Sequence, residues 1–176
     1  MLILVVGPSG AGKDTLMERA REGLAGDARF RFVRREITRA AGAGGEDHIA
    51  VSPEVFAARR AAGGYALAWE AHGLGYGIPA DIAGDLEAGL VVVANVSRGV
   101  LVEASRRFAA RVLEITAPVE VLARRLASRG RESEADVAAR LARAVALPAG
   151  LDVVRVVNDG AVEVGVERVL AVLIEE

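Results

Sequence analysis

At 176 residues, with 52% hydrophobic and 26% charged side chains, the chain is long enough to bury one substantial core and too short for two ordinary domains. A formal net charge of −2 excludes a broad basic surface for nucleic acid, because such binding rests on neutralising phosphates. The absence of cysteine excludes disulfides, thiolate metal sites and a cysteine nucleophile; no apolar run approaches the roughly 18–20 residues that span a bilayer, and Leu2–Val6 lacks the basic flank and length of a signal peptide, so the expected location is cytoplasmic.

The first element is Leu2–Val6, a continuous run of branched apolar residues stopped by Gly7-Pro8, which predicts a strand buried on both faces and hence a parallel sheet. A glycine-rich loop follows, then a helix over 13–24 with Leu16, Ala20 and Leu24 on one face. The glycine-rich stretch 40–45 predicts a loop that opens an acceptor-binding subregion of about 34–80. Ser52-Pro53 supplies a helix start and Gly63-Gly64 a stop, while Pro79 and Gly89 bracket another helix. Apolar runs at 90–96, 112–115 and 153–157 alternate with helical stretches. Ser133 and Asp136 fit a capping box leading into 137–145, and 160–174 predicts a terminal amphipathic helix. The order is that of an α/β fold of the P-loop type, three layers around a parallel central sheet, in one domain.

Gly7-Pro8-Ser9-Gly10-Ala11-Gly12-Lys13 matches the Walker A pattern through its lysine, between a predicted strand and a predicted helix. Glycines let consecutive backbone N–H groups turn inward around phosphate oxygens, the helix N-terminus adds its dipole, and the lysine reaches the transferring phosphate. Lys13 is the only lysine among 22 basic residues, at the one place where a compact ammonium is needed. ATP with Mg²⁺ is the expected ligand. The next position departs from the pattern: Asp14 replaces the usual hydroxyl ligand of Mg²⁺, and Thr15 follows. The predicted strand over 90–96 carries Asn95 where an acid is common. Two readings stay open, Asp14 supplying negative charge near Mg²⁺, with Thr15 as the other metal candidate, or Asp14 favouring the positive helix end as a cap.

Taken together, GPSGAGKD at 7–14, ITR at 37–39, GGEDHIAVS at 44–52, WEAHGLGYGIP at 69–79, NVSR at 95–98 and RLASRGRE at 125–132 resemble the ribose 1,5-bisphosphate phosphokinases, a guanylate-kinase-like family of bacterial phosphonate utilisation. The resemblance runs through nearly the whole chain. It implies phosphorylation of ribose 1,5-bisphosphate by ATP to 5-phosphoribosyl 1-diphosphate, with release of ADP, and a small phosphorylated sugar as the acceptor partner. It places Arg39 and Thr38, with Arg35, at the acceptor phosphate, Tyr76 beside them, Glu70 at a base-reading position, and Arg98 in the acceptor pocket. For Arg34 or Arg35 taken singly a solvated strand-edge charge is the preferred reading, and Tyr76 reads equally as a half-buried core tyrosine. Arg129, Arg131 and Arg140 fall in a segment, about 124–143, that resembles the mobile lid of nucleoside-monophosphate kinases. Asn158 falls in the adenine-side loop.

An acceptor phosphate is already ionised, so the transfer requires no strong base, and neither His48 nor His72 need be catalytic. Leu74 and Ile78 stand where guanine readers are polar, which removes the reason to prefer that base. A guanylate or other nucleoside-monophosphate kinase is the nearest alternative enzyme. A catalytically silent guanylate-kinase-like scaffold is the alternative of another class, and it has no use for Lys13.

Overall fold

The computed structural model describes residues 1–43, 47–128 and 146–175. The predicted capping box at Ser133 and Asp136, the arginines Arg129, Arg131 and Arg140, and the pair Gly44-Gly45 lie outside the described residues.

Strand β1 (Leu2–Val6) is buried at all five positions, as an unbroken branched apolar run requires. It is the middle strand of a five-stranded sheet in the order β2-β7-β1-β8-β9, with β2 at Phe30–Phe32, β7 at Val91–Asn95, β8 at Ala110–Thr116 and β9 at Val153–Val157. The β2–β7 and β8–β9 pairs are parallel. All three later apolar runs of the sequence are therefore strands of this sheet, within a residue or two of the expected bounds. Contacts divide the chain into two compact units, Met1–Leu4 with Gly26–Arg111, and Val5–Ala25 with Val112–Glu176.

In the first unit a second sheet forms, of four strands in the order β4-β3-β6-β5. Its members are β3 (Glu36–Ile37), β4 (Ile49–Ala50), β5 (Tyr65–Ala71) and β6 (Leu74–Pro79). Strands β5 and β6 are an antiparallel hairpin joined through His72 and Gly73, both at positive φ (53° and 74°), the backbone that tight two-residue hairpin turns demand. The alternating glycines of β6 have a use in packing. A Cβ at Gly75 would stand 2.7 Å from the Phe56 ring and one at Gly77 2.4 Å from the Tyr65 ring, so both positions are slots for aromatic rings. Helix α2 (Pro53–Ala61), which carries Phe56, begins as expected, with Ser52 Oγ accepting the Val55 N–H at 3.2 Å and Pro53 at its first position. Helix α3 (Ile82–Glu87) occupies the middle of the bracket set by Pro79 and Gly89, and α4 (Leu101–Arg107) follows a 3₁₀ turn at Arg98–Val100.

The second unit carries the phosphate loop and α1 (Lys13–Gly23), with α5 (Val119–Ala127) after β8 and α6 (Val162–Ile174) after β9. Helices α1 and α6 pack together through buried Leu16 and Ala20 on one side and Gly165, Val169 and Leu173 on the other. Of the expected face of α1, Leu16 and Ala20 are thus buried, while Leu24 lies just past the helix end and is only partly so.

Candidate functional site

The carbonyl groups of the loop between β1 and α1 are engaged by donors of the loop itself and of elements packed around it. Pro8 O accepts from Ala11 N–H at 3.3 Å and Gly12 O from Leu16 N–H at 3.0 Å. Gly10 O accepts from Arg125 Nη1 at 3.3 Å and Ala11 O from Asn158 Nδ2 at 2.8 Å. Peptide groups are planar, so fixing the carbonyls in this way fixes the N–H groups that a phosphate would use. Lys13 Nζ donates to Gly7 O at 2.8 Å and to Pro8 O at 3.2 Å, holding the ammonium over the loop. Gly7 admits no side chain, since a Cβ there would meet Ile115 O at 1.9 Å.

Helix α1 starts from Gly12, in the left-handed region at φ 82°, with no side-chain cap bond. Asp14 is at the second helical position and exposed, as is Thr15 beside it. Asp14 is therefore not the residue at the cap position, and the capping reading reduces to a favourable charge in the first turn. Among the described residues no group of three or more His, Cys, Asp or Glu converges as a metal cluster. Of the sequence-assigned donor-side residues, Gly7 to Thr15 and Asn158 belong to this unit and stand together.

In the first unit the residues that the resemblance assigns to the acceptor lie on or beside β3, β5, β6 and β7. Thr38 is fixed twice to β6, its N–H donating to Gly75 O at 3.0 Å and its Oγ1 accepting the Gly75 N–H at 2.8 Å. The chain therefore leaves β3 in a set direction at Arg39, which is half-buried with Nε and Nη2 inside. His48, 4% exposed, donates its Nε2–H to Arg39 O at 3.1 Å, so the arginine's backbone is held from a second side. Trp69 and Tyr76 are register partners whose rings stack at 5.4 Å and 5°. The Arg35 guanidinium lies 5.2 Å from the Tyr76 ring centre and 5.9 Å from that of Trp69. Arg35 thus packs on an aromatic pair and is no plain strand-edge charge, while Arg34 makes an exposed bridge to Asp47 at 2.7 Å. Glu70 is exposed and pairs with Arg60 at 3.2 Å. Arg98 opens the 3₁₀ turn just beyond Asn95 at the end of β7.

Sequence reasoning missed a buried carboxylate on β3. Glu36 on β3 is 6% exposed; it accepts the Tyr65 hydroxyl at 2.6 Å and also pairs with Arg59 of α2. Burial pushes the Tyr65 phenol up to about 12, with the Glu36 carboxylate adding to the rise and Arg59 opposing it. No spacing signals such a triad, because its members come from three elements. The phenol is held neutral in the folded chain above its ordinary value of about 10, so its contribution is complete below pH ~10 and is lost as pH rises toward ~12. Tyr65→Phe, which removes a hydrogen bond to a charged acceptor, is expected to cost about 1.5–3 kcal/mol at neutral pH. In urea melts the gap between wild type and variant stays constant from pH 7 to 9.5 and narrows above; a gap that persists at pH 11.5 would contradict this.

No family model matches the sequence. Comparison with curated proteins finds ribose 1,5-bisphosphate phosphokinase PhnN of Rhizobium etli, 48% identical over 175 residues, spanning 98% of this chain and 89% of the relative. The protein of the same name from Brucella melitensis is 52% identical over 162 residues, 91% of this chain and 84% of the relative. Among solved structures, a guanylate kinase from Anaplasma phagocytophilum superposes with a TM-score of 0.70 at 19% identity, over 99% of this chain and 84% of that one, a likeness of fold.

Proposed function

The chain belongs to the ribose 1,5-bisphosphate phosphokinase family, and from that premise we propose that it transfers the γ-phosphoryl group of ATP to the 1-phosphate of ribose 1,5-bisphosphate. An oxygen of the acceptor's 1-phosphate attacks the γ-phosphorus and the bond from that phosphorus to the β-phosphate bridging oxygen breaks. The products are 5-phosphoribosyl 1-diphosphate and ADP. The reading is carried by an intact Lys13 loop in a chain about half identical, along its length, to relatives of that name. The nucleophile is an anion from the start, so the protein's work is positioning and charge stabilisation. Lys13 and the inward amides of the loop take the donor phosphates, and Arg39 with Arg35 takes the acceptor. The apolar Leu74 and the fully buried Ile78 offer nothing to hydrogen-bond a purine edge, which favours a sugar over a nucleotide.

Among the described residues no helix is long and apolar enough to cross a membrane. The deciding experiment is a side-by-side assay with ATP and either ribose 1,5-bisphosphate or GMP, following 5-phosphoribosyl 1-diphosphate and ADP. Turnover on the bisphosphate with little on GMP is expected. Faster turnover on GMP would assign a nucleotide kinase, and no turnover on either acceptor a binding scaffold.

Magnesium enters as the partner of ATP, neutralising charge on the β- and γ-phosphates. The exposed Asp14 carboxylate and Thr15 hydroxyl in the first turn of α1 are oxygen donors suited to it, directly or through water. Asp14→Asn is expected to raise the free Mg²⁺ needed for half-maximal activity several-fold while stability changes by no more than about 1 kcal/mol, the scale of a charge at a helix end. Thr15→Val run in parallel assigns the role: a shift in the threonine variant alone moves the metal function to Thr15.

A further inference from the structure

Among the described residues Arg125 and Asn158 both donate to carbonyls of the phosphate loop from other elements, and they differ in kind. Arg125 is a long side chain with a 3.3 Å bond to Gly10 O. Asn158 is 5% exposed, its backbone N–H is tied to Thr116 O at 2.7 Å, and its amide reaches Ala11 O at 2.8 Å across 147 residues of sequence. The space around that amide is cut to fit by two glycines. A Cβ at Gly12 would stand 2.6 Å from Asn158 Nδ2, and a Cβ at Gly165, on α6, would stand 3.1 Å from its Oδ1 and 2.9 Å from Leu16 Cδ2. The short side chain fixed at the end of β9 thus has one rotamer pocket, walled by the loop on one side and α6 on the other.

We propose that Asn158 is a positioning residue of the phosphate loop: by holding the Ala11 carbonyl it sets the peptide that carries the Gly12 N–H, and Gly165 keeps it in place. This rests on the reading of the loop as the ATP site, and it gives Asn158 a task other than contact with adenine. The Ala11 carbonyl and the Gly12 N–H belong to one planar peptide unit, so a donor on the oxygen fixes where the hydrogen points. The left-handed Gly12 follows directly, and its backbone leads into Lys13. A loop freed at this peptide samples other orientations before phosphate binds, and apparent affinity falls by the fraction of competent loop.

The test uses the full chain and two independent readouts. In amide hydrogen exchange without nucleotide, Asn158→Ala is expected to speed exchange of the loop amides from Ala11 to Lys13 at least tenfold, with the β-hairpin of the first unit unchanged. In ATP binding by calorimetry, Asn158→Ala and Gly165→Ala are each expected to raise Kd about tenfold or more, and the double variant no further than Asn158→Ala alone, because Gly165→Ala acts on affinity by displacing the asparagine. Asn158→Gln, with the same amide on a longer arm, is expected not to rescue. Unchanged loop exchange in Asn158→Ala would overturn the proposal, and so would additive losses of ATP affinity in the double variant. A wild-type chain that binds no ATP would instead sink the phosphate-loop reading, and the exchange result would still decide whether Asn158 holds the loop.

Discussion

Lys13→Ala is expected to lower kcat by at least about 10²–10³-fold, roughly 3–4 kcal/mol of transition-state stabilisation, with the folded stability little changed. The Lys13 ammonium donates to Gly7 O and Pro8 O, carbonyls of its own loop. Replacing Lys13 removes no core packing, since the side chain is only half-buried. The charge that develops on the migrating phosphoryl group then loses a cation at fixed distance, and water cannot replace a preorganised one without reorganising. Lys13→Arg is expected to recover little, because a planar fork does not fit where a compact point charge is held between two carbonyls. Steady-state kinetics and circular dichroism on both variants check this; near wild-type turnover in Lys13→Ala would remove the loop from catalysis.

Arg39→Ala is expected to reduce kcat/KM for the sugar acceptor by about 10²-fold or more, roughly 3 kcal/mol, while the KM for ATP stays as it was. The arginine is held from both sides of its backbone, through Thr38 to Gly75 and through His48 to its own carbonyl. That support fixes where the guanidinium begins, and a bidentate donor gains from being placed. Arg39→Lys is expected to restore only part of the loss, having charge without the fork. Equal damage to ATP and acceptor parameters would argue for a role other than acceptor binding, and an unchanged acceptor response would transfer the clamp to Arg35, the cation stacked on Tyr76.

The phosphate loop was legible from sequence because its requirements are local. Consecutive peptides must turn together, so glycines stand at fixed intervals between a wholly buried strand and a helix, and Gly7 to Lys13 could be read without any distant residue. The strands of the parallel sheet were legible for a similar reason, since burial on both faces leaves an unbroken apolar run such as Leu2–Val6. The four-stranded sheet was not. In β6 the glycines at 75 and 77 erase the alternation that marks a strand, and their purpose lies in the Phe56 and Tyr65 rings that fill the vacated space. Glu36 reads as one more acid in a charged stretch until Tyr65 and Arg59 close on it from two other elements. Asn158 was placed at the donor side by family resemblance and by its position at the carboxyl end of a predicted parallel strand; that its amide ends on Ala11, with Gly165 making room, was decided only when strands and helices far apart in the chain packed together. Local backbone chemistry writes itself into neighbouring residues, whereas a buried polar bond across 147 positions requires only a suitable side chain at one end and a backbone carbonyl at the other, which no spacing rule can register.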